Sequence, residues 1–87
     1  MTIGELRICL KKLTKDFKKD VIVISRLNKK SYRELCESLD WKYRRAEDII
    51  GTEIKCLITI GLPSHQNLEE IFSRARNKLI IFTEQKR

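Results

Sequence analysis

The sequence predicts a small α/β domain, a three-layer sandwich whose mainly parallel sheet of three to four strands is flanked by about three helices. Three observations lead there. Stretches of helical periodicity alternate with apolar runs along the chain. Two of those runs read as strands: Val21-Ile22-Val23-Ile24, unalternated as suits a strand covered on both faces, and Ile54-Lys55-Cys56-Leu57-Ile58-Thr59-Ile60. And 87 residues allow one domain with a core of only a few layers. Residues 1–87 are therefore read as a single domain: a leading amphipathic helix over 1–19, a central region over 21–83 and a polar tail over 84–87.

Thr2 followed by Glu5 is a capping box that opens the first helix. Ile3, Leu6, Leu10, Leu13 and Phe17 recur at spacings of three and four, giving an amphipathic helix of about four turns. Its other face carries Lys11, Lys12, Lys15, Lys18 and Lys19, which reads either as a solvated face or as a binding surface. After the first strand, Ser25 to Lys30 is a polar loop, and Ser31 with Glu34 is a second capping box. The helix it opens buries Leu35, Cys36 and Leu39 and fades near Asp40.

Trp41 to Ile50 admits two readings. It forms a short edge strand or irregular connection with Trp41 plugging the core. Alternatively Lys42, Arg44 and Arg45, interleaved with Trp41 and Tyr43, make a surface where cations and aromatics meet nucleic acid. Asp48 to Glu53 is a turn-like approach to the strand at Ile54–Ile60, which Gly61 and Pro63 end. Asn67, with Glu70 at the capping-box position, opens a last helix, and Leu68, Ile71, Phe72, Ala75 and Leu79 form its apolar stripe. Arg74 and Arg76 sit in its last turn, off that stripe. They either complement the helix macrodipole or hold an anion such as a phosphate. Leu79 to Thr83 is the final strand.

Nineteen Lys and Arg against twelve Asp and Glu give a net charge of +7, and the pI is near 9.6. This balance favours acidic partners, nucleic acid first among them. Three widely spaced cysteines, Cys9, Cys36 and Cys56, and a lone His65 offer neither a zinc-site spacing nor a disulfide framework. Each cysteine sits among apolar residues and reads as a small buried hydrophobe. With no apolar leader or membrane-length run, the expectation is an intracellular protein, cytoplasmic or nuclear. Ser64 beside His65 does not make a catalytic triad.

Three segments, in order, resemble the second RecA-like motor domain of superfamily-1 helicases of the UvrD/Rep type. Val21 to Ser31, with Arg26-Leu27-Asn28 after the strand, resembles motif IV. Ile50 to Ile60, with Gly51-Thr52-Glu53 before the strand, is similar to motif V. Phe72 to Ile81, with Ser73-Arg74-Ala75, is similar to motif VI. The resemblance implies a RecA-like half. Arg74 would be an arginine finger reaching the γ-phosphate of ATP held on a partner lobe, and Arg26, Glu53 and Arg76 would lie near nucleotide. The chain has no G-x-x-x-x-G-K-[ST] run and no strand-end Asp-Glu pair for Mg²⁺, so it is expected to be non-catalytic alone. ATP and Mg²⁺ enter only if a second RecA-like lobe completes the site.

Three functions follow as expectations. One is a helicase-type motor lobe, lending Arg74 and Arg26 to a larger NTP-dependent assembly. Another is a stand-alone nucleic-acid-binding module using Lys11, Lys12, Lys15, Lys42, Arg44 and Arg45. The third is a protein-interaction domain that keeps the fold without the chemistry.

Overall fold

A computed structural model describes residues 2–83. Helix α1 (Ile3–Leu13) begins at Thr2, whose hydroxyl accepts the Glu5 N–H at 3.1 Å, the cap that the sequence predicts. It stops short of the four turns expected. The Thr14 hydroxyl and N–H both donate to the Leu10 carbonyl, at 2.8 and 3.1 Å, and this local bonding ends the helix. Phe17 thus lies in the following turn, half-buried against the core rather than on the helix stripe.

Strand β1 (Val21–Ser25) leads to helix α2 (Lys30–Leu39). The predicted Ser31–Glu34 box does not form. The helix starts two residues early, so Lys29 is the N-cap and makes no side-chain cap, while Glu34 lies 3.8 Å from Lys30. Asp40 ends α2 in the left-handed region at φ 59°, where the cap satisfies the last carbonyls. That turn delivers buried Trp41, whose indole N–H donates to the Lys18 carbonyl at 3.0 Å, and then the two-residue strand β2 (Lys42–Tyr43). The edge-strand and core-plug reading of this segment therefore holds for its backbone.

A short 3₁₀ helix (Ala46–Ile49) precedes Gly51, which takes φ 79° in the turn into strand β3 (Ile54–Ile60). Helix α3 (Leu68–Arg74) and strand β4 (Ala75–Phe82) complete the chain. Asn67 is the N-cap of α3, but at φ −101° and ψ 19° it makes no side-chain cap. Its N–H donates instead to His65 Nδ1 at 3.1 Å, and Glu70 pairs with Arg74. The predicted Asn67–Glu70 box is thus absent. The last helix is also shorter than its stripe suggests. Ala75 pairs with Ile54 in the ladder, so the β-sheet claims 75–82, and Arg76 and Leu79 are strand residues. The predicted tail, 84–87, lies outside the described residues.

The sheet order is β2-β1-β3-β4 and every pair is parallel. Helices α1 and α2 cover one face, where Leu6, Leu10, Tyr32, Leu35 and Cys36 meet Val21, Val23, Cys56, Ile58 and Ile60. The 3₁₀ helix and α3 cover the other, where Ala46, Ile49 and Ile71 meet Ile24, Ile54 and Leu57. The result is the three-layer α/β sandwich the sequence predicts. Two of the three cysteines, Cys36 and Cys56, are buried as expected, whereas Cys9 is only half-buried. No helix among the described residues is long and apolar enough to cross a membrane.

Ile58 is fully buried in the central strand, and Ile8 is 59% exposed on α1. Ile58→Ala should lower the unfolding free energy by about 3 kcal/mol in urea titrations, through lost burial and the cavity left behind. Ile8→Ala should change it by less than about 0.5 kcal/mol.

Candidate functional site: an arginine-lined cleft

Parallel strands deliver their loops to the carboxyl end of the sheet, and here two of those ends are extended by one rigid residue each. The Arg26 N–H donates to the Ile60 carbonyl at 2.9 Å, continuing the β1–β3 ladder. The Arg44 N–H donates to the Val23 carbonyl at 2.9 Å, continuing β2–β1. Both side chains therefore leave the sheet from fixed backbone. Between them opens a cleft of about 760 Å³, walled by the β1–α2 loop, the outer side of α2 and the segment from Tyr43 to Asp48.

Four guanidinium groups line it: Arg26, Arg33, Arg44 and Arg45. Three carboxylates, Glu37, Glu47 and Asp48, share the lining. Arg45 is held 3.6 Å from Glu47, and Arg44 donates to the Tyr43 carbonyl at 3.1 Å. Arg26 and Arg33 have no hydrogen-bond or ion-pair partner for their side chains among the described residues. Two exposed, unspent forks on opposite elements can each take a planar oxyanion in bidentate fashion.

A hydroxyl chain braces the wall that carries these arginines. The Ser25 hydroxyl donates to the Leu27 carbonyl at 2.7 Å, so the hydrogen between Ser25 and Tyr43 belongs to the tyrosine. Asn28 Oδ1 lies 3.5 Å from the same phenol as a weaker acceptor. Tyr43 thereby ties the β1–α2 loop to β2 and fixes the width of the cleft.

Cys36 reaches the cleft lining but is no nucleophile. Burial, and secondarily the neighbouring Glu37 charge, pushes its thiol up to about 12, so it stays protonated at neutral pH. Burial likewise raises the Cys56 thiol. Among the described residues no group of His, Cys, Asp and Glu is arranged to hold a metal ion. The arrangement can bind and orient an anion. It offers no activated nucleophile.

The structure divides the residues that the sequence singles out. Arg26, Arg44 and Arg45 come together in the cleft, and Asn28 with them. Lys42 and Glu53 meet elsewhere, in a hollow of about 150 Å³ at the amino ends of the strands, with Lys19, Asp20 and Lys55. Arg74 is also at the amino end, because the next residue, Ala75, is paired with Ile54; it lies 3.6 Å from Glu70. Arg76 is exposed on β4 beside it, no longer in a helix. Strands of this length separate Arg26 from Arg74 by roughly 20 Å, so within one chain they cannot share a phosphate. Lys11, Lys12 and Lys15 are exposed on and after α1 and line neither hollow. His65 and the Gly61–His65 loop also stay outside the cleft.

Arg33 is the member that sequence reasoning missed. Its signal is its place one turn before Glu37 on α2, away from the Leu35 and Leu39 side, and the cleft lining joins it to Arg26.

Two outcomes follow for the thiols. In the native protein a charged disulfide reagent should modify Cys9 and leave Cys36 and Cys56 intact until denaturant is added. The folded Cys36 thiol titrates above its ordinary value of 9.0, so its contribution to stability is complete below pH 9 and is lost as pH rises towards 12. Unfolding titrations across that range should show a shallower loss of stability in Cys36→Ala than in the parent chain.

Comparison of the chain with family models, with curated proteins and with solved structures gives no match.

Proposed function

We propose that this chain is a non-catalytic α/β module that grips nucleic-acid phosphates through the cleft at the carboxyl ends of β1 and β2. The observation that carries this reading is that Arg26 and Arg33, whose guanidinium groups have no side-chain partner among the described residues, line one braced cleft with Arg44. In parallel α/β sheets ligands meet the loops at that end of the strands. A net charge of +7 adds long-range attraction for a polyanion. Since the cleft holds carboxylates as well as arginines, it suits discrete phosphate groups at fixed spacing better than a featureless negative surface.

In the resemblance to a helicase motor lobe, the same cleft would be the nucleic-acid side of a larger NTP-dependent assembly. Arg74 supports that second reading. It ends α3 with its side chain 44% exposed and held by one carboxylate, so it is free to turn towards a nucleotide on another lobe. ATP and Mg²⁺ would then come with that lobe, and Glu53 and Arg76 would share the amino-end position with Arg74.

Fluorescence-anisotropy titration of short single- and double-stranded oligonucleotides, at low and moderate salt, with and without ATP, tests the first reading. Binding should weaken steeply with salt and be indifferent to ATP. The double variant Arg26→Ala/Arg44→Ala should lower affinity at least about tenfold and reduce the salt slope by about 2. Neutralising Lys11, Lys12 and Lys15 together should leave most of that slope in place. If the lysine variant removes binding while the arginine variant keeps it, the cleft is not the nucleic-acid site.

A further inference from the structure

We propose that β4 pairs antiparallel with the β4 of a second copy of this chain, centred on Ile80, so that two sheets join into one. Strand β4 is eight residues long, lies at the margin of the sheet and pairs only with β3 among the described residues. The Gly61 N–H donates to the Phe82 carbonyl at 2.6 Å, so Phe82 and, by alternation, Ile80 and Lys78 turn their backbone groups towards β3. Those of Leu79 and Ile81 therefore point out of the open edge.

The side chains of the same two residues are uncovered. Leu79 is 37% and Ile81 49% exposed, on the face that α3 and the 3₁₀ helix cover elsewhere. Open edges are normally guarded by a charge, and Lys78 is the candidate guard. Its amine, however, donates to the Leu13 carbonyl at the end of α1, at 2.6 Å, and is drawn onto the other face. Among the described residues the edge is left apolar and unguarded over its carboxyl half.

Self-complementarity selects a second copy as the occupant. In an antiparallel pair, opposed residues share a face, which leaves few registers. Centring on Lys78 sets that lysine against its own copy, a like-charge clash. Centring on Leu79 sets Asn77 against Ile81. Centring on Ile80 pairs Leu79 with Ile81 twice, both carrying outward backbone groups, and sets Lys78 opposite Phe82. Four apolar side chains then form one patch across the symmetry axis, and no cation faces a cation. Such an interface is isologous and small, so the dimer is weak and concentration-dependent. Because each chain carries +7, screening should strengthen it, the reverse of the salt effect on nucleic-acid binding.

Sedimentation equilibrium of the chain from micromolar to millimolar concentration, at low and high sodium chloride, tests this. A reversible monomer–dimer equilibrium that tightens with salt is expected. Ile81→Lys should weaken it at least about tenfold. Ile81→Pro should do the same with an unchanged circular-dichroism spectrum, because the lost N–H faces the open edge and not β3. Ile8→Lys, an exposed position on α1, should leave the dimer intact. A chain that stays monomeric throughout, association that persists in Ile81→Lys, or association lost equally in Ile8→Lys would each overturn the proposal.

Discussion

Strand β3 is covered on both faces and hydrogen-bonded on both edges, and the rest of the chain is arranged to satisfy it. Cys56, Leu57, Ile58 and Thr59 are fully excluded from water. A strand so enclosed has no solvent to satisfy its backbone groups, so β1 and β4 must pair with it over nearly its full length. The same enclosure requires apolar cover on two sides. Helices α1 and α2 supply it on one, and α3 with the 3₁₀ helix on the other. The one polar side chain in that stretch, Thr59, is satisfied by donating to the Gly61 carbonyl.

Parallel pairing around this strand gives the sheet two unlike ends. At the carboxyl end, Arg26 and Arg44 continue the ladders and the hydroxyl of Tyr43 ties their supporting segments together. At the amino end, charges are partly paired with one another: Lys55 with Asp20, and Arg74 with Glu70. Exposed pairs of this kind add little stability. They tie up Asp20 and Glu70, while Lys42 and Arg76 at that end, like Arg26 and Arg33 at the other, have no side-chain ion pair among the described residues; what sets the carboxyl end apart is the cleft that gathers its arginines. The difference between the two ends thus comes from backbone direction, and only then from which side chains occupy each end.

Much of this was legible in the sequence. The unalternated run at 21–24 read correctly as a doubly covered strand because its composition leaves no polar face, and the apolar run at 54–60 read correctly as a strand. Trp41 read correctly as a core plug. The boundaries of the last helix did not, because Leu68 to Leu79 carries a helical stripe while Ala75 to Phe82 gains more from pairing with β3. No local pattern contains that long-range ladder. Capping boxes failed at Ser31 and Asn67 for a related reason: the spacing was present, but α2 began two residues early and His65 took the N–H of Asn67. The site was half legible. Arg26, Arg44 and Arg45 stood out by position, but their meeting depends on β2 lying beside β1, and Arg33 joins them only through the angle at which α2 packs.

The central claim is that the carboxyl ends of β1 and β2 are the ligand-binding end of this molecule. Amide chemical-shift mapping by NMR, with a short single-stranded oligonucleotide titrated at low salt, tests it most directly. The account predicts that the largest perturbations fall on Ser25 to Asn28, Arg33 and Tyr43 to Asp48, with little change at Glu53, Arg74 or Arg76. Perturbations concentrated at those amino-end residues, or along α1 at Lys11 and Lys12, would contradict it.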